Sequence, residues 1–431
     1  MIPLGQVIIN PTPELAGVLK APPSKAYTHR SLIAAALSEG RSDIVNPLSS
    51  DDSEATLGAV QAYGALVERE EDVWKVTGRS EPVAPSNVVD CGESGATIRF
   101  MTPVSALAKG ISVLTGRSQL LRRPIGPLLH SMRELGVTCY TVRGGGYPPV
   151  IVFGGRIHGG RTSLRGDVSS QFVSGLLFAA PRAQNDVVIR LTTNLESRQY
   201  VDMTLNVLNL HGIKVETSSD LREYYVKKRQ EYKPTNHMIP GDYSSAAFIL
   251  AGAAITGSRI TVKDLARESF QGDKAIIQIL SNMGANINVS EDSVRIHGGQ
   301  LSGLEIDVDQ IPDLVPVIVV LGCYAKGRTV IRKAGRLRIK ESDRLSTLAS
   351  ELGKMNTSIH VADDTLTVKG SSSIRGAVID PHGDHRIAMA CSIAALGAEG
   401  STTIRDAECV NKSYPRFYED LKRIGVKTGG R

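Results

Sequence analysis

One pattern recurs six times along these 431 residues, and it confines the chain to folds assembled from six copies of a single unit. In each copy a helix-like run closes on a Gly that leads into a strand-like stretch, at Tyr63-Gly64, Leu135-Gly136, His211-Gly212, Met283-Gly284, Leu352-Gly353 and Ile424-Gly425. By subtraction, successive glycines lie 72, 76, 72, 69 and 72 residues apart. Solenoid repeats run roughly 20–50 residues, so each copy holds more than a helix pair. Ahead of each lies a second helix-like run rich in Ala, Leu and Ile. It opens on Ser24-Lys25, Glu93-Ser94-Gly95, Ser169-Ser170-Gln171, Asp242-Tyr243-Ser244, Asp313-Leu314 or Asp384-His385-Arg386. Ser and Asp oxygens accept the free N–H groups of a first helical turn, and such a terminus attracts anions. Six openings of this kind could converge on one anionic site.

Each copy reads as polar turn, helix, Gly, strand, helix, Gly, strand. In the first, the pattern predicts helix over 31–38, strand over 42–45 and helix over 51–63, with Gly64 as C-cap. In the fourth it predicts helix over 244–255, a break at Gly257, strand over 259–262 and helix over 271–283. Mixed short strands and helices throughout give an α/β layered class. Six units divide into two lobes of three. One seam falls in the polar stretch from Lys227 to Pro234, before Ile239-Pro240-Gly241, and the other at Pro22-Pro23, where prolines impose extended backbone. The expected lobes are 1–21 with 239–431, and 22–238. Clefts between lobes are preferred ligand sites, so the site is expected there.

Composition excludes several classes. Hydrophobic content of 41% with 22% charged residues suits a water-soluble globular chain. The formal charge is only +6 and aromatics are 5%, without a basic tail, which argues against a nucleic-acid binder. Cys91, Cys139, Cys323, Cys391 and Cys409 are odd in number and form no Cys-x-x-Cys pair, so free thiols in a reducing compartment are expected rather than disulfides or a zinc ribbon. Met1-Ile2-Pro3-Leu4-Gly5 has no basic segment leading into an apolar core, and the apolar run Leu314 to Leu321 is too short to span a bilayer. A cytoplasmic protein without membrane attachment is expected.

Five short motifs can carry chemistry. In Arg338-Ile339-Lys340-Glu341-Ser342-Asp343-Arg344, Lys340 and Arg344 share a face if the stretch is helical, with Glu341 beside them; a solvated, salt-bridged helix start is the plainer reading. In Asp380-Pro381-His382-Gly383-Asp384-His385-Arg386, two histidines near two aspartates allow a metal site. The intervening Gly spoils helical ligand spacing, and no further His/Cys cluster supports it. The expected arrangement has Asp384 capping the helix and orienting His385, with Arg386 turned to an anion. Pro23-Ser24-Lys25-Ala26-Tyr27-Thr28-His29-Arg30 lacks P-loop spacing, and no Gly-x-Gly-x-x-Gly occurs. Arg122-Arg123-Pro124 and Asn411-Lys412-Ser413-Tyr414-Pro415 would each pass as surface. Their coincidence is what counts: nearly every repeat places a cation or hydroxyl at the equivalent turn, and Arg suits bidentate capture of carboxylate and phosphate.

Taken together, Ser24 to Arg30, Gly92 to Arg99, Arg123-Pro124-Ile125, Ser169-Ser170-Gln171-Phe172, Ser197 with Tyr200, Asp313, Lys340 to Arg344, Asp384-His385-Arg386 and Lys412 resemble the motifs of the 5-enolpyruvylshikimate-3-phosphate synthases, or 3-phosphoshikimate 1-carboxyvinyltransferases. They span nearly the whole chain in the family's order. The resemblance implies two similar lobes, each of three βαβαββ units in an inverse α/β-barrel-like arrangement. It implies a transferase of the shikimate pathway, on the route to chorismate and the aromatic amino acids, acting as a monomer on two small molecules. The 5-hydroxyl of shikimate 3-phosphate attacks the central carbon of phosphoenolpyruvate, and a tetrahedral adduct then loses phosphate, with no metal or organic cofactor.

By the same resemblance Lys25, Arg123, Arg344, Arg386 and Lys412 hold phosphoenolpyruvate, with Gln171 near both substrates. Lys25, Arg30, Ser169, Ser170, Ser197, Tyr200 and Lys340 hold shikimate 3-phosphate. Asp313 takes or orients the hydroxyl proton, and Glu341 and Lys25 are candidates for proton delivery. Ala26, Glu93, Ala96 and Phe100 depart from the residues usual in the family (Ser, Asn, Thr and Pro), whereas Gly95, the position tied to glyphosate sensitivity, is retained. The nearest rival, UDP-N-acetylglucosamine enolpyruvyl transferase, usually has Lys-Asn where this chain has Lys25-Ala26, and a catalytic Cys in the loop where Arg117-Ser118-Gln119-Leu120-Leu121 has none. A non-catalytic polyanion-binding protein of the same fold would gain nothing from Asp313 and Glu341.

Overall fold

The computed structural model describes residues 5–371 and 373–429; most of the stretch read for a targeting signal, Met1 to Leu4, lies outside them. The chain divides into two compact units, Met1–Pro22 with Pro240–Arg431, and Pro23–Ile239. Each has its own apolar core.

Among the described residues, six four-stranded sheets correspond to the six repeats, and all share one plan: a parallel pair, then two antiparallel pairings. The strand Val187–Leu191 shows why these segments are strands. Val187, Ile189 and Leu191 alternate inward while Arg190 faces out, the period of a half-buried strand. In the unit 23–239 the first sheet borrows its opening strand from the unit's far end, where His237–Met238 pairs in parallel with Ile44–Val45. In the other unit, Ala16–Lys20 pairs in parallel with Arg259–Lys263, and Gln6–Ile9 lies between Thr402–Arg405 and Thr428–Gly429. Segments before residue 22 thus complete the fourth and sixth sheets.

Each repeat also contributes one largely buried helix. In the unit 23–239 these are Lys25–Ala36, Gly95–Ser105 and Ser170–Ala179; in the other they are Tyr243–Ile255, Val315–Tyr324 and His385–Ala394. Helices apolar on all sides belong inside a core. Tyr243–Ile255 is buried from Tyr243 through Ala254, and its Ala, Gly and Ser side chains let neighbours approach. Gly175 serves the same end: a Cβ there would lie 2.3 Å from the Arg99 carbonyl oxygen on the facing helix.

Several boundaries differ from expectation. Gly64, Gly136, Gly212, Gly284 and Gly425 are left-handed just past their helices, as a C-terminal Gly should be. Gly353 is not: the helix Arg344–Gly353 runs through it, and Asn356 takes the positive φ of 62° instead. Asn tolerates that conformation because its short amide bonds locally. The stretch expected as helix from Gln271 begins as a 3-10 turn, Gly272–Ala275, and becomes α-helical only over Ile276–Met283. The Arg338-to-Arg344 motif is not one helix. A 3-10 turn ends at Ile339, and the α-helix starts at Arg344 behind an Asp343 cap. Among the described residues no helix is long and apolar enough to cross a membrane.

Candidate active site

Five of the six buried helices open with the expected side-chain cap. Ser24, Ser94, Ser169, Asp242 and Asp384 accept from Tyr27, Thr97, Gln171, Ser245 and Arg386 N–H respectively. Asp313 breaks the series. It sits inside the 3-10 turn Pro312–Leu314 and caps nothing. Pro312 and Pro316 shape this entry, since neither has an N–H to be capped. The carboxylate is thereby turned over to cations.

In the unit that holds it, Arg344, Lys340 and Arg386 reach Asp313. Arg344 Nη1 lies 3.1 Å and Lys340 Nζ 3.5 Å from Oδ1, and Arg386 Nη2 lies 3.4 Å from Oδ2. Arg386 Nη1 also donates to the Asp313 carbonyl at 3.0 Å. Arg344 in turn is shared among three carboxylates: Nη2 to Glu341 at 2.7 Å, Nε to Asp384 at 2.8 Å, and Nη1 to Asp313. It is 1% exposed, and those anions offset the cost of burying its charge. Burial opposes its charge, but Asp384, then Glu341 and Asp313, hold its pKa above the ordinary arginine value. Burial alone would push Asp313 up. Arg386, then Lys340 and Arg344, more than reverse this and hold it well below the usual carboxylate range. Burial lowers Lys340 to about 8. Lys412 Nζ donates to the Gly383 carbonyl at 3.0 Å, beside the Asp384-His385-Arg386 turn.

Asp384 does not orient His385 as expected. Its oxygens are taken by Arg344, by Ser342 Oγ at 3.0 Å and by its own helix start, while His385 Nδ1 stands 4.0 Å away, outside hydrogen-bond range. His382 is largely exposed at 3.5 Å from Glu351. Among the described residues no three His, Cys, Asp or Glu side chains gather as metal ligands.

In the unit 23–239, Lys25 starts its helix and its Nζ lies 2.7 Å from Asp52 Oδ2. The Asp52 backbone carbonyl accepts from Thr97 Oγ1 at 3.4 Å, which ties this pair to the Gly95 turn. Gly95 faces Arg123: a Cβ at Gly95 would lie 2.5 Å from Arg123 Nη1. Gln171 Oε1 accepts from Arg99 Nη1 at 2.8 Å, and Arg99 Nη2 reaches the Pro124 carbonyl at 3.3 Å. Lys25, Gly95, Arg123 and Gln171 are therefore joined through Asp52, Thr97 and Arg99. Ser169 and Ser170 are buried at the start of Gln171's helix.

Arg30 is 2% exposed and bonds mostly to protein. Nε donates to Thr204 Oγ1 and Nη1 and Nη2 to the Ala26 and Tyr200 carbonyls, each at 2.8 Å. Its guanidinium also lies 5.1 Å from the Phe100 ring centre and 5.7 Å from that of Tyr200. Three of its five N–H bonds are used this way. Ser197, also buried, holds a left-handed backbone at φ 53° without capping its helix. A serine kept there against its preference marks a constrained position.

Sequence reasoning missed Asp52 as the partner of Lys25, Asp384 as the partner of Arg344, and Asp273. Ser50-Asp51-Asp52-Ser53 reads as a helix start, and it is one, with a Ser50/Ser53 capping box; that role hides the other. Asp273 is fully buried, bonded by Ser244 Oγ, and raised to about 7 by burial and then by Asp313. Nothing local in Gln271-Gly272-Asp273 signals this.

Two units of repeated αβ sheets, with cations gathered around a buried carboxylate, define a class of α/β protein suited to small anions. The family profile of EPSP synthase (3-phosphoshikimate 1-carboxyvinyltransferase) matches residues 9–421, and the chain belongs to that family. It is 41% identical to the 3-phosphoshikimate 1-carboxyvinyltransferase of Methanococcus maripaludis (strain C5), over 97% of this chain and 98% of that one. It is 43% identical to the enzyme of that name from Methanocella arvoryzae, over 95% and 97%. The EPSP synthase structure from Acinetobacter baumannii superimposes with a TM-score of 0.83 at 29% identity, over 98% of this chain and 99% of that one.

Proposed function

We propose that this protein transfers the enolpyruvyl group of phosphoenolpyruvate to the 5-hydroxyl of shikimate 3-phosphate, releasing phosphate. The observation that carries the reading is Asp313 enclosed by Arg344, Arg386 and Lys340. Two polyanions must be brought together, and fixed cations can hold both without reorganising. The same cations hold Asp313 far below its usual range, so without substrate it is a weak base. When the phosphoenolpyruvate carboxylate engages Arg344 and Arg386, their charge is shared with the substrate, and Asp313 gains basicity as the hydroxyl arrives.

The hydroxyl oxygen then bonds to the central carbon of phosphoenolpyruvate. Asp313 takes or orients its proton, and the methylene carbon gains a proton from Glu341 or Lys25. The adduct collapses as the carbon–phosphate oxygen bond breaks and the methyl group returns a proton, which restores the double bond. Arg123 and Lys412 hold phosphoenolpyruvate, with Gln171 near both substrates. Arg30, Ser169, Ser170, Ser197, Tyr200 and Lys340 hold shikimate 3-phosphate, and Lys25 serves both anions. No cofactor takes part, so a chelator leaves the rate unchanged.

Mass spectrometry of an incubation with both substrates tests the reading. It should reveal shikimate 3-phosphate enlarged by one enolpyruvyl group, and unchanged substrates would refute it. A cytoplasmic location belongs to the same proposal, supported by five buried free thiols, as does a monomeric state; light scattering on the eluting protein checks the mass.

A further inference from the structure

Two loops of the unit 23–239 are stitched together ahead of Arg123. The first, 90–94, is a tight turn: Asp90 Oδ1 accepts from Gly92 N–H at 2.8 Å, and Gly92 is left-handed at φ 56°. The second, 116–123, ends in the 3-10 turn Leu120–Arg122. Arg117 N–H donates to the Gly92 carbonyl at 2.8 Å. Glu93 then spans the gap with both carboxylate oxygens, Oε2 accepting from Leu120 N–H at 2.8 Å and Oε1 from Gln119 N–H at 3.4 Å. These are N–H groups at the start of the turn, which lack partners inside it. From there Arg123 N–H bonds the Leu120 carbonyl at 3.1 Å, and the guanidinium comes to rest against Gly95, two residues beyond Glu93. One short stretch of chain therefore anchors the start of the segment and receives its end.

We infer that Glu93 is a positioning residue, whose carboxylate fixes the 117–123 segment and thereby holds the Arg123 guanidinium over Gly95, setting affinity for phosphoenolpyruvate. The inference rests on the reading of Arg123 as a phosphoenolpyruvate ligand. A neutral amide at position 93 would offer a single acceptor oxygen, whereas the carboxylate meets two N–H groups with separate oxygens. A negative charge beside an anion site would otherwise be a burden. Here it is spent on backbone N–H groups, where charged acceptors bond more strongly than neutral ones.

The test compares Glu93→Ala, which removes both acceptors, with Glu93→Gln, which keeps one at the same reach. Glu93→Ala should raise the KM for phosphoenolpyruvate about tenfold (about 1.4 kcal/mol) and Glu93→Gln about two- to threefold, with the KM for shikimate 3-phosphate within about twofold in both. An unchanged phosphoenolpyruvate KM in the Ala variant, or equal rises in both constants, overturns the inference. Hydrogen–deuterium exchange on the ligand-free protein tests the latch independently of what Arg123 binds. Peptides covering 117–123 should exchange faster in Glu93→Ala than in the parent, with Glu93→Gln between them and other core peptides unchanged. Equal protection of 117–123 in all three proteins overturns it. Arg123→Ala is measured alongside: if it leaves the phosphoenolpyruvate KM unmoved while 117–123 still loosens in Glu93→Ala, the assignment of Arg123 fails and the latch stands.

Discussion

Gly95 has no side chain, and the Arg123 guanidinium occupies the space that one would fill. In Gly95→Ala the methyl group displaces the far end of a flexible arginine, so the fold survives and the cation moves. The expected outcome is a phosphoenolpyruvate KM raised about tenfold or more with shikimate 3-phosphate binding little changed, measured by steady-state kinetics with each substrate varied in turn. Glu341 is a different kind of residue. Its carboxylate pairs with Arg344 at 2.7 Å, yet its proposed work is proton transfer. Glu341→Gln should lower kcat by about 10²–10⁴-fold, and a loss of only a few-fold would leave it a mere ion-pair partner. The sequence made Lys25, Gly95, Arg123, Asp313 and Glu341 visible because each lies in a short motif at a helix start. Asp52 and Asp273 were not visible, because their partners, Lys25 and Ser244, lie 27 and 29 residues away in sequence.

At the scale of elements, the helix start is the device this chain reuses. Five capped starts were legible because Ser or Asp at the first position has a local mechanism. The sixth was misread, since Asp313 resembles a cap in sequence but lies inside the 3-10 turn Pro312–Leu314, where the Val315 N–H bonds the Pro312 carbonyl and Pro316 has none to offer. The Arg338-to-Arg344 stretch was left open for a related reason: four-residue spacing puts Lys340 and Arg344 on one face only if the backbone is helical, and spacing alone does not decide that. Asp384 combines two functions, capping His385–Ala394 and holding Arg344. Loss of a cap alone costs about 1 kcal/mol, whereas breaking a buried ion pair costs about 3–5 kcal/mol. Arg344 would keep Asp313 and Glu341, so Asp384→Ala should lower unfolding free energy by about 3 kcal/mol, read by urea denaturation. A loss near 1 kcal/mol would mean that only the cap matters.

For the whole molecule, the α/β class and six-fold repetition were legible from glycine spacing, and six sheets of one plan realise them. The parallel opening strands, some only two residues long, were not, because pairing between Val378–Ile379 and Thr402–Arg405 leaves little local trace. The folded chain also carries buried neutral histidines. His29 is lowered by burial to about 3, and His211 and His237, with Nε2 atoms 2.7 Å apart, are each lowered by burial to about 4. Their stabilising contribution is complete above the unfolded value of about 6.5 and is lost as pH falls toward 4, because the unfolded state binds protons first. Asp273, raised to about 7, and Asp202, Asp406 and Asp420, raised by burial, act with the opposite sign. The His211–His237 pair's own share of the unfolding free energy should fall between pH 7 and pH 4.5, on the order of 3 kcal/mol for its first protonation, and His211→Asn with His237→Asn should remove that share of the slope. The central claim is tested most directly by phosphate release from phosphoenolpyruvate with each acceptor supplied in turn. The account predicts release with shikimate 3-phosphate and none with UDP-N-acetylglucosamine or with phosphoenolpyruvate alone; release with the nucleotide sugar, or with no acceptor, would contradict it.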